Sequence, residues 1–241
     1  MQTGIILQAR CNSKRLPNKV IRNIKNKPIL EYIIERLQNI SETQLIVATT
    51  KSKNDDAICK ICIKNDVPFY RGKKNDVLSR YYEISSKYKL KTIIRTNADC
   101  PFLDKGIIKK MIKIFKKRKY DYFSNILEPS FPSGIHVEIF NQKTLKKVHK
   151  EATSVSDREH VTPYIYKNKK KFFVGSFKNN KNLSFHRWTI DYLEDLRFVK
   201  KVYKEFNYRN NFNMYDVLKL LKKKPEITKI NYFIKKKQNL L

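Results

Sequence analysis

The chain has 241 residues, of which 53 are Lys or Arg and 22 are Asp or Glu, so its formal net charge is +31, while 41% of its residues are hydrophobic. This length allows one sizeable core and excludes two full-sized independent domains. No apolar run approaches the roughly 20 residues that cross a bilayer, and the first residues lack a signal-peptide pattern. We therefore expect a cytoplasmic protein that is not inserted in a membrane.

The positive charge has two interpretations. Clustered Lys and Arg attract nucleic acid or anionic membranes over long range. Lys, Asn and Ile are all abundant in this chain, however, which AT-rich coding also produces. Because the lysines are spread along the whole chain and no nucleic-acid-binding motif accompanies them, we interpret the charge as compositional and do not expect nucleic acid as a partner.

The chain opens with a short apolar strand, residues 5–7, that runs directly into a basic loop containing Arg10, Ser13, Arg15 and Lys19. Open α/β sheets bind ligands beyond the carboxyl ends of their strands, and cationic side chains there suit a polyanion. The loop is therefore predicted to bind phosphate, the alternative being a solvated basic turn. If a nucleoside triphosphate binds, the three cations would neutralise it and Ser13 would donate a hydrogen bond.

Strand-like and helix-like segments alternate through the first half of the chain, which predicts a parallel sheet with helices on its faces. The predicted strands are 5–7, 45–48, 67–70 and 92–95, and the predicted helices are 28–37, 55–64, 76–87 and 104–117. Asp76 is expected to cap the third of these helices. Cys59 and Cys62 could form a redox pair or half a zinc site, but no second pair follows at metal spacing. We therefore expect reduced cysteines on a helix.

The pattern changes near residue 125. From 125 to 187 the periodicity weakens, and strand-like pieces such as 136–140 alternate with short helices. We predict that this segment is an inserted subdomain, for substrate binding and dimerisation, within a single domain of residues 1–241. The main fold is expected to resume with a strand at 188–191, a helix at 193–206, a last helix at 214–222 and a basic tail.

Two carboxylates stand at predicted strand ends. Asp99 follows the strand at 92–95, where it could hold Mg²⁺, which prefers one or two carboxylates together with phosphate oxygens and water. Asp99 could equally cap a turn before Pro101. Asp191 is the candidate second metal ligand, whereas Glu194 and Asp195 fall in the first turn of the next helix, where acids offset the helix dipole.

Several motifs follow one another in a fixed order. They are the opening loop, Asp55-Asp56 after Ala48-Thr49-Thr50, Arg71-Gly72 with Asp76-Val77-Leu78-Ser79-Arg80, Arg95-Thr96-Asn97-Ala98-Asp99-Cys100-Pro101, Pro132-Ser133-Gly134-Ile135-His136-Val137-Glu138, Arg158-Glu159-His160-Val161-Thr162-Pro163 and Trp188-Thr189-Ile190-Asp191. This ordered set resembles the cytidylyltransferases related to the spore-coat polysaccharide protein SpsF, which are similar to the CMP-sialate and CMP-KDO synthetases. The resemblance covers roughly residues 4 to 200 and is more specific than any single motif.

The resemblance implies a three-layer α/β/α nucleotidyltransferase fold, Rossmann-like and GT-A-like, with a mixed, mostly parallel sheet and a small inserted subdomain. It implies that Arg10, Lys19, Asp99 and Asp191 are catalytic and that Asp99 and Asp191 hold Mg²⁺. The implied nucleotide-binding residues are Leu7, Gln8, Ala9, Arg10, Ser13, Arg15, Lys19, Arg71, Asp76, Arg80, Thr96, Asn97 and Ala98. The candidates for binding the sugar or shaping its pocket are Gly134, Glu138, Arg158, Glu159 and His160, of which the last could equally be a core or dimer-contact histidine.

The chain departs from its relatives at a few positions. Relatives commonly carry Gly where this chain has Asn12 and Asn18, and Asn is the residue after Gly that best tolerates a left-handed backbone. Relatives also show Thr-Pro where this chain has Tyr192-Leu193. The first departure is expected to leave the loop intact, and the second to affect only the start of the helix after Asp191.

We therefore hypothesise a Mg²⁺-dependent cytidylyltransferase that joins CMP from CTP to an acidic sugar, nonulosonate or KDO-like, and releases pyrophosphate in surface polysaccharide or glycoconjugate biosynthesis. The resemblance also implies a homodimer. One alternative is a nucleotide-sugar-dependent glycosyltransferase of GT-A type, which usually holds its metal with an Asp-x-Asp pair, whereas Asn97-Ala98-Asp99 supplies one acid. A second alternative, suggested by charge alone, is a basic nucleic-acid-binding module.

Overall fold

The computed structural model describes residues 2–234 and contains a seven-stranded sheet with helices on both faces. The strands are β1 (Thr3–Gln8), β2 (Asn23–Ile24), β3 (Lys27–Pro28), β4 (Thr43–Thr50), β5 (Phe69–Gly72), β6 (Thr92–Asn97), β7 (Tyr122–Ser124), β8 (Glu138–Asn141) and β9 (Val174–Ser176). The helices are α1 (Ile29–Leu37), α2 (Asp56–Lys64), α3 (Val77–Lys87), α4 (Lys105–Arg118), α5 (Gln142–Glu151), α6 (Val155–His160), α7 (Pro163–Lys167), α8 (Leu193–Glu205), α9 (Met214–Lys223) and α10 (Glu226–Lys229). From residue 235 onward the predicted basic tail lies outside the described residues.

The strands of the large sheet have the order β5-β4-β1-β6-β8-β7-β9, and β2 pairs with β3 in a separate hairpin. β5, β4, β1 and β6 are parallel neighbours. β8 is antiparallel to both β6 and β7, and β9 is parallel to β7. The prediction of a mixed, mostly parallel sheet is therefore confirmed, with β8 running against its neighbours.

The central strands supply apolar cores on both faces of the sheet. Because successive residues of a strand point to opposite faces, Ile5 and Leu7 pack in one core while Ile6 packs in the other. β6 divides in the same way between Ile94 and Ile93. A strand buried on both faces must be apolar at every position, which explains why these segments are continuous apolar runs and confirms the three layers.

The helices of the first half begin close to their predicted positions. Pro28 is the N-cap of α1, and the Asp76 carboxylate accepts a hydrogen bond from the Ser79 amide at 3.0 Å, as predicted. Cys59 and Cys62 lie on α2, and both are buried and free of disulfide bonds. Of the helices within residues 2–234, none is long and apolar enough to cross a membrane.

One local prediction is wrong. Residues 188–191 do not form a strand: the segment is irregular, and its regular pairing is limited to an isolated bridge between Ser133 and Arg187. Of the two Asn positions at which relatives commonly carry Gly, Asn18 has a left-handed backbone with φ of 59°, but Asn12 is absent from the described residues with positive φ. Contacts with distant residues set the backbone of the 188–191 segment, since the Trp188 amide donates to the Ser133 carbonyl and the Ile190 amide to the Asp99 carbonyl.

The segment 125–187 is built into the sheet. It contributes β8 between β6 and β7 and β9 at the edge, while α5 and α6 pack against α3. The crevice at the carboxyl ends of β1 and β6 is thus bordered by this segment on one side. A role of the segment in substrate binding and dimerisation stays a prediction.

Candidate active site

Two adjacent strands bring the opening loop beside the Asp99 motif. β1 and β6 pair in register so that Gln8 lies opposite Asn97, and the Ala98 amide donates to the Gln8 carbonyl at 2.9 Å. The loop after β1 is shaped by a hydrogen bond from the Cys11 amide to the Asp55 carboxylate at 2.7 Å. These contacts turn the basic loop over the end of β6, where Asp99 follows.

The segment that carries Asp191 is fastened to the same place by backbone contacts. The Ile190 amide donates to the Asp99 carbonyl at 2.9 Å, so the two candidate metal ligands become neighbours. Gly134, at φ of +106°, packs against the other side of the segment. A Cβ on Gly134 would approach the backbone of Trp188 and Thr189 to 2.6 Å, so only glycine fits this close approach.

The ammonium of Lys19 lies between the two carboxylates. Its Nζ is 2.7 Å from Asp99 Oδ2, 3.0 Å from Asp191 Oδ1 and 2.8 Å from the carbonyl oxygen of Ile190. The three donors of the ammonium therefore all have acceptors. Lys19, Asp99 and Asp191, each predicted to be catalytic, form one cluster in the structure.

Two arginines complete the charge balance around Asp191. Arg15 Nη2 is 2.7 Å from Asp191 Oδ1, and Arg187 Nη2 is 3.4 Å from Asp191 Oδ2. Arg187 also pairs with the buried Asp195, which accepts from the backbone amide of Tyr192 and so caps α8. Three carboxylates thus face three cations. The ring of Tyr192, where relatives have Thr, lies beside Arg15 and Arg187 with their guanidinium carbons 5.5 and 5.8 Å from its centroid.

The cluster favours the charged forms of Lys19 and Asp191. Burial would lower the pKa of Lys19, but the carboxylates of Asp99 and Asp191 outweigh this effect and the pKa is raised. Burial would raise the pKa of Asp191, but Lys19 and Arg15 outweigh it and the pKa is lowered. Lys19 is therefore an ammonium, and Asp191 a carboxylate, across the neutral pH range.

The donor set suits a hard divalent cation. Both carboxylates reach one point, since a single nitrogen lies within 3.0 Å of each. Within residues 2–234 no group of three His, Cys, Asp or Glu side chains could hold a metal ion, so the protein would supply two ligands to it. Mg²⁺ is commonly bound by one or two carboxylates, with substrate phosphate oxygens and water filling its other positions.

Unpartnered polar atoms gather at the carboxyl ends of three neighbouring strands. Gln8 Oε1 on β1, Thr49 Oγ1 on β4, and Thr96 Oγ1 and Asn97 Oδ1 on β6 are buried and have no hydrogen-bond partner among the described residues. Such atoms are costly unless a ligand or water satisfies them. Gln8, Thr96 and Asn97 are predicted nucleotide-binding residues, whereas Thr49 belongs to the motif Ala48-Thr49-Thr50 but was given no site role in the sequence analysis.

Arg80 and Arg71 lie at the outer side of this crevice. The Arg80 side chain is fully buried, and none of its three guanidinium nitrogens has a partner among the described residues. Its Cγ would be 2.3 Å from a Cβ on Gly72, so this glycine makes room for it. Arg71 is instead engaged with the carbonyls of Thr50 and Ser52 and therefore holds the chain that follows β4.

Helix α6 carries residues 158–160 and contacts both the opening loop and the start of α3. Glu159 lies 3.8 Å from Arg10, and Arg158 lies 2.7 Å from Asp76 at the start of α3. His160 is exposed at the end of α6, and the next residue, Val161, has φ of 74° and ψ of −53°. The Thr162 amide donates to the His160 carbonyl at 2.9 Å, which makes Val161 the centre of a strained γ-turn.

Glu138 lies in the interior. Its side chain is 2% exposed, forms an ion pair with Arg95 on β6, and accepts hydrogen bonds at 2.6 Å from Tyr122 and Thr162. Three predicted residues remain. Leu7 is in the core beneath the crevice, the Ala9 amide donates to the Ala48 carbonyl, and the Ser13 hydroxyl accepts from the Leu16 amide. Arg187, which joins Asp191 to Asp195, was missed by sequence reasoning because it lies just before the motif Trp188-Thr189-Ile190-Asp191.

Comparison with known proteins shows which family the sequence matches. A family model for cytidylyltransferases matches residues 4–239. The spore coat polysaccharide biosynthesis protein SpsF of Bacillus subtilis is 29% identical over 229 residues, which cover 92% of this chain and 94% of that protein.

Solved structures show the same fold. A cytidylyltransferase from Leptospira borgpetersenii superposes with a TM-score of 0.91 at 32% identity, covering 95% of this chain and 97% of its own. A CMP-KDO synthetase in complex with CTP superposes with a TM-score of 0.64 at 14% identity, covering 85% of this chain and 99% of its own. The predicted nucleotidyltransferase fold is confirmed.

Proposed function

The chain belongs to the cytidylyltransferase family, and from that premise we propose that it transfers CMP from CTP to an acidic sugar and releases pyrophosphate. The observation that carries the proposal is the meeting of Asp99 and Asp191 on the ammonium of Lys19, beside a loop of further cations. This arrangement suits a triphosphate and a divalent cation better than an uncharged ligand. The name of SpsF supports a role in polysaccharide biosynthesis.

The triphosphate would lie over the opening loop. Arg10, Arg15 and Lys19 would bind its phosphate oxygens, and Ser13 would donate a neutral hydrogen bond. Asp99 and Asp191 would hold Mg²⁺, which when bound neutralises developing charge on the phosphates. The protein's own contribution is positioning and electrostatic stabilisation by preorganised cations.

The nucleoside would lie at the strand ends. The unpartnered oxygens of Gln8, Thr96 and Asn97, together with the backbone of Ala9 and Ala98, are suited to hydrogen bonds with a base and a ribose. The buried, unpartnered guanidinium of Arg80 supports an anionic or acceptor group of the nucleotide nearby. Leu7, Arg71 and Asp76 would support this pocket from the core and from the starts of α2 and α3.

The acceptor would enter on the side of α6. Arg158, Glu159 and His160 border the crevice there, and Gly134 and Glu138 would position the segments around it. The acceptor oxygen would form a bond to the α-phosphorus as the bond from that phosphorus to the bridging oxygen breaks, and pyrophosphate would leave with the electron pair. The acceptor proton would pass to solvent. We further propose that the protein acts in the cytoplasm as a homodimer.

The test is an assay for pyrophosphate release. The purified chain would be incubated with Mg²⁺, a panel of eight- and nine-carbon keto-acid sugars, and either CTP or UTP. We expect pyrophosphate release that requires both CTP and one of the acids, with a CMP-sugar as product. Release of the nucleoside diphosphate from UDP- or GDP-sugars, without pyrophosphate release from CTP, would contradict the proposal.

A further inference from the structure

The ammonium of Lys19 lies between the two candidate metal ligands. All three acceptors of its ammonium belong to the cluster, at 2.7 to 3.0 Å, and its side chain is 12% exposed. The contacts join an opening-loop residue to Asp99 and to the Ile190-Asp191 segment. The ammonium is therefore held by three protein groups at the point where the two carboxylates converge.

A divalent cation and this ammonium need the same oxygens. Asp99 Oδ2 and Asp191 Oδ1 are the carboxylate atoms that approach Lys19, and Asp191 Oδ1 also accepts from Arg15 at 2.7 Å. Asp191 Oδ2 faces Arg187, and Asp99 Oδ1 lies 3.5 Å from the Cys100 sulfur. A metal ion arriving alone would have to displace a cation from a cluster whose charges are already balanced.

A triphosphate removes this obstacle. Lys19 and Arg15 are the cations that the loop offers to phosphate, and their movement toward phosphate oxygens would release the carboxylates. The same phosphates would supply the metal ligands that two carboxylates leave unfilled. We infer that Lys19 prevents a metal ion from binding to the Asp99–Asp191 pair until nucleotide phosphates draw its ammonium away, so that metal affinity depends on bound nucleotide. The inference rests on the proposed function.

The experiment measures Mn²⁺ affinity by electron paramagnetic resonance on the full chain without nucleotide. Wild type is expected to bind Mn²⁺ weakly, and Lys19→Met to bind it at least about tenfold more tightly, as large an effect as neighbouring groups commonly have on metal sites. The matched control is Lys14→Met, because Lys14 is an exposed lysine of the same loop with the same charge change. The control should bind like wild type. In the Lys19→Met background, Asp99→Asn should abolish the gain.

A second measurement keeps the inference testable if Lys19→Met does not fold. With a CTP analogue that has a methylene group between the α- and β-phosphorus, wild type should bind Mn²⁺ tightly, beyond what the analogue chelates by itself. Binding of nucleotide and metal must then be reciprocally coupled. Tight Mn²⁺ binding by wild type without nucleotide, or equal affinity in Lys19→Met and Lys14→Met, would overturn the inference. Pyrophosphate release by wild type tests the proposed function separately.

Discussion

Strand β6 carries two charged clusters that differ in almost every respect. In its interior, Arg95 pairs with Glu138, and Tyr122 and Thr162 fill the other positions around that carboxylate. Just beyond its end, Asp99 joins Asp191 and Lys19, with side-chain exposures of 26%, 14% and 12%. Arg95 is 13% exposed, but the Glu138 carboxylate is 2% exposed, so we call the first cluster sealed; the second, whose Asp99 carboxylate faces the crevice, we call open. Membership of a family motif does not distinguish them, but access to solvent does.

The difference has a physical meaning. A carboxylate whose partners are all protein groups and which solvent cannot reach stabilises the fold, and losing one partner leaves a buried charge uncompensated. A partly exposed carboxylate held by mobile lysine and arginine side chains can exchange those partners for a ligand. We therefore expect substitutions in the open cluster to reduce activity and substitutions in the sealed cluster to reduce stability.

The largest expected effect is on catalysis. Asp99→Asn and Asp191→Asn each remove a proposed metal ligand with little change in shape, and we expect pyrophosphate release to fall by about 10²–10³-fold. The control is Glu194→Gln, an exposed acid three residues after Asp191. Rates should be compared on protein whose circular dichroism matches wild type. Near-normal turnover in either Asn variant would remove the basis for assigning the open cluster to catalysis.

The next effect is on stability. Glu138→Gln keeps the side-chain volume but leaves Arg95 without its counter-charge, so the free energy of unfolding should fall by about 3 kcal/mol. Urea denaturation measures this change. Because the Glu138 carboxylate is engaged with protein groups and is 2% exposed, kcat and KM of the folded protein should change far less than in Asp99→Asn. A raised KM for the acceptor at unchanged stability would instead indicate direct substrate binding and would break the contrast between the clusters.

The open cluster should also make the free energy of unfolding depend on pH. The folded-state pKa of Asp191 is lowered by Lys19 and Arg15 against the opposing effect of burial. Its contribution to stability is therefore fully present above the ordinary aspartate pKa of 3.8 and is lost as the pH falls from there through the folded-state value. Urea denaturation at a series of pH values from neutral to acid should show that wild type loses this contribution to the free energy of unfolding. Asp191→Asn should not lose it. If the free energies of unfolding of wild type and Asp191→Asn fell in parallel as the pH is lowered, the lowered pKa of Asp191 would be contradicted.

The smallest expected effect concerns the joint after α6. Val161→Gly removes a buried side chain but also relieves a strained γ-turn, so we expect the free energy of unfolding to change by no more than about 1 kcal/mol. The matched control is Val137, which is also buried but is not among the described residues that have a positive φ. Val137→Gly should lose about 3 kcal/mol. Equal losses in urea denaturation would show that the turn at Val161 stores no strain.

Sequence patterns predicted the elements whose causes are local. Apolar spacing located the helices of the first half, and Asp76 caps α3 as its side chain and position suggested. The strand predicted at 188–191 is wrong because that segment is fixed by Gly134 and Asp99, which lie far away in sequence. The order of motifs indicated the family and named Lys19, Asp99 and Asp191, but it could not show that a lysine bridges two carboxylates 80 and 172 residues further along.

The close approach of Gly134 to the backbone of Trp188 and Thr189 has a consequence for biosynthesis. The two carboxylates, Asp99 and Asp191, lie far apart in sequence, and contacts of such long sequence separation form only after the intervening chain has collapsed. A polypeptide still emerging from the ribosome can complete β1, β4 and β6 without having Asp191 in place. On the proposed function, the nascent chain would gain activity only after translation has passed Asp191 and the segment 188–191 has docked against Gly134.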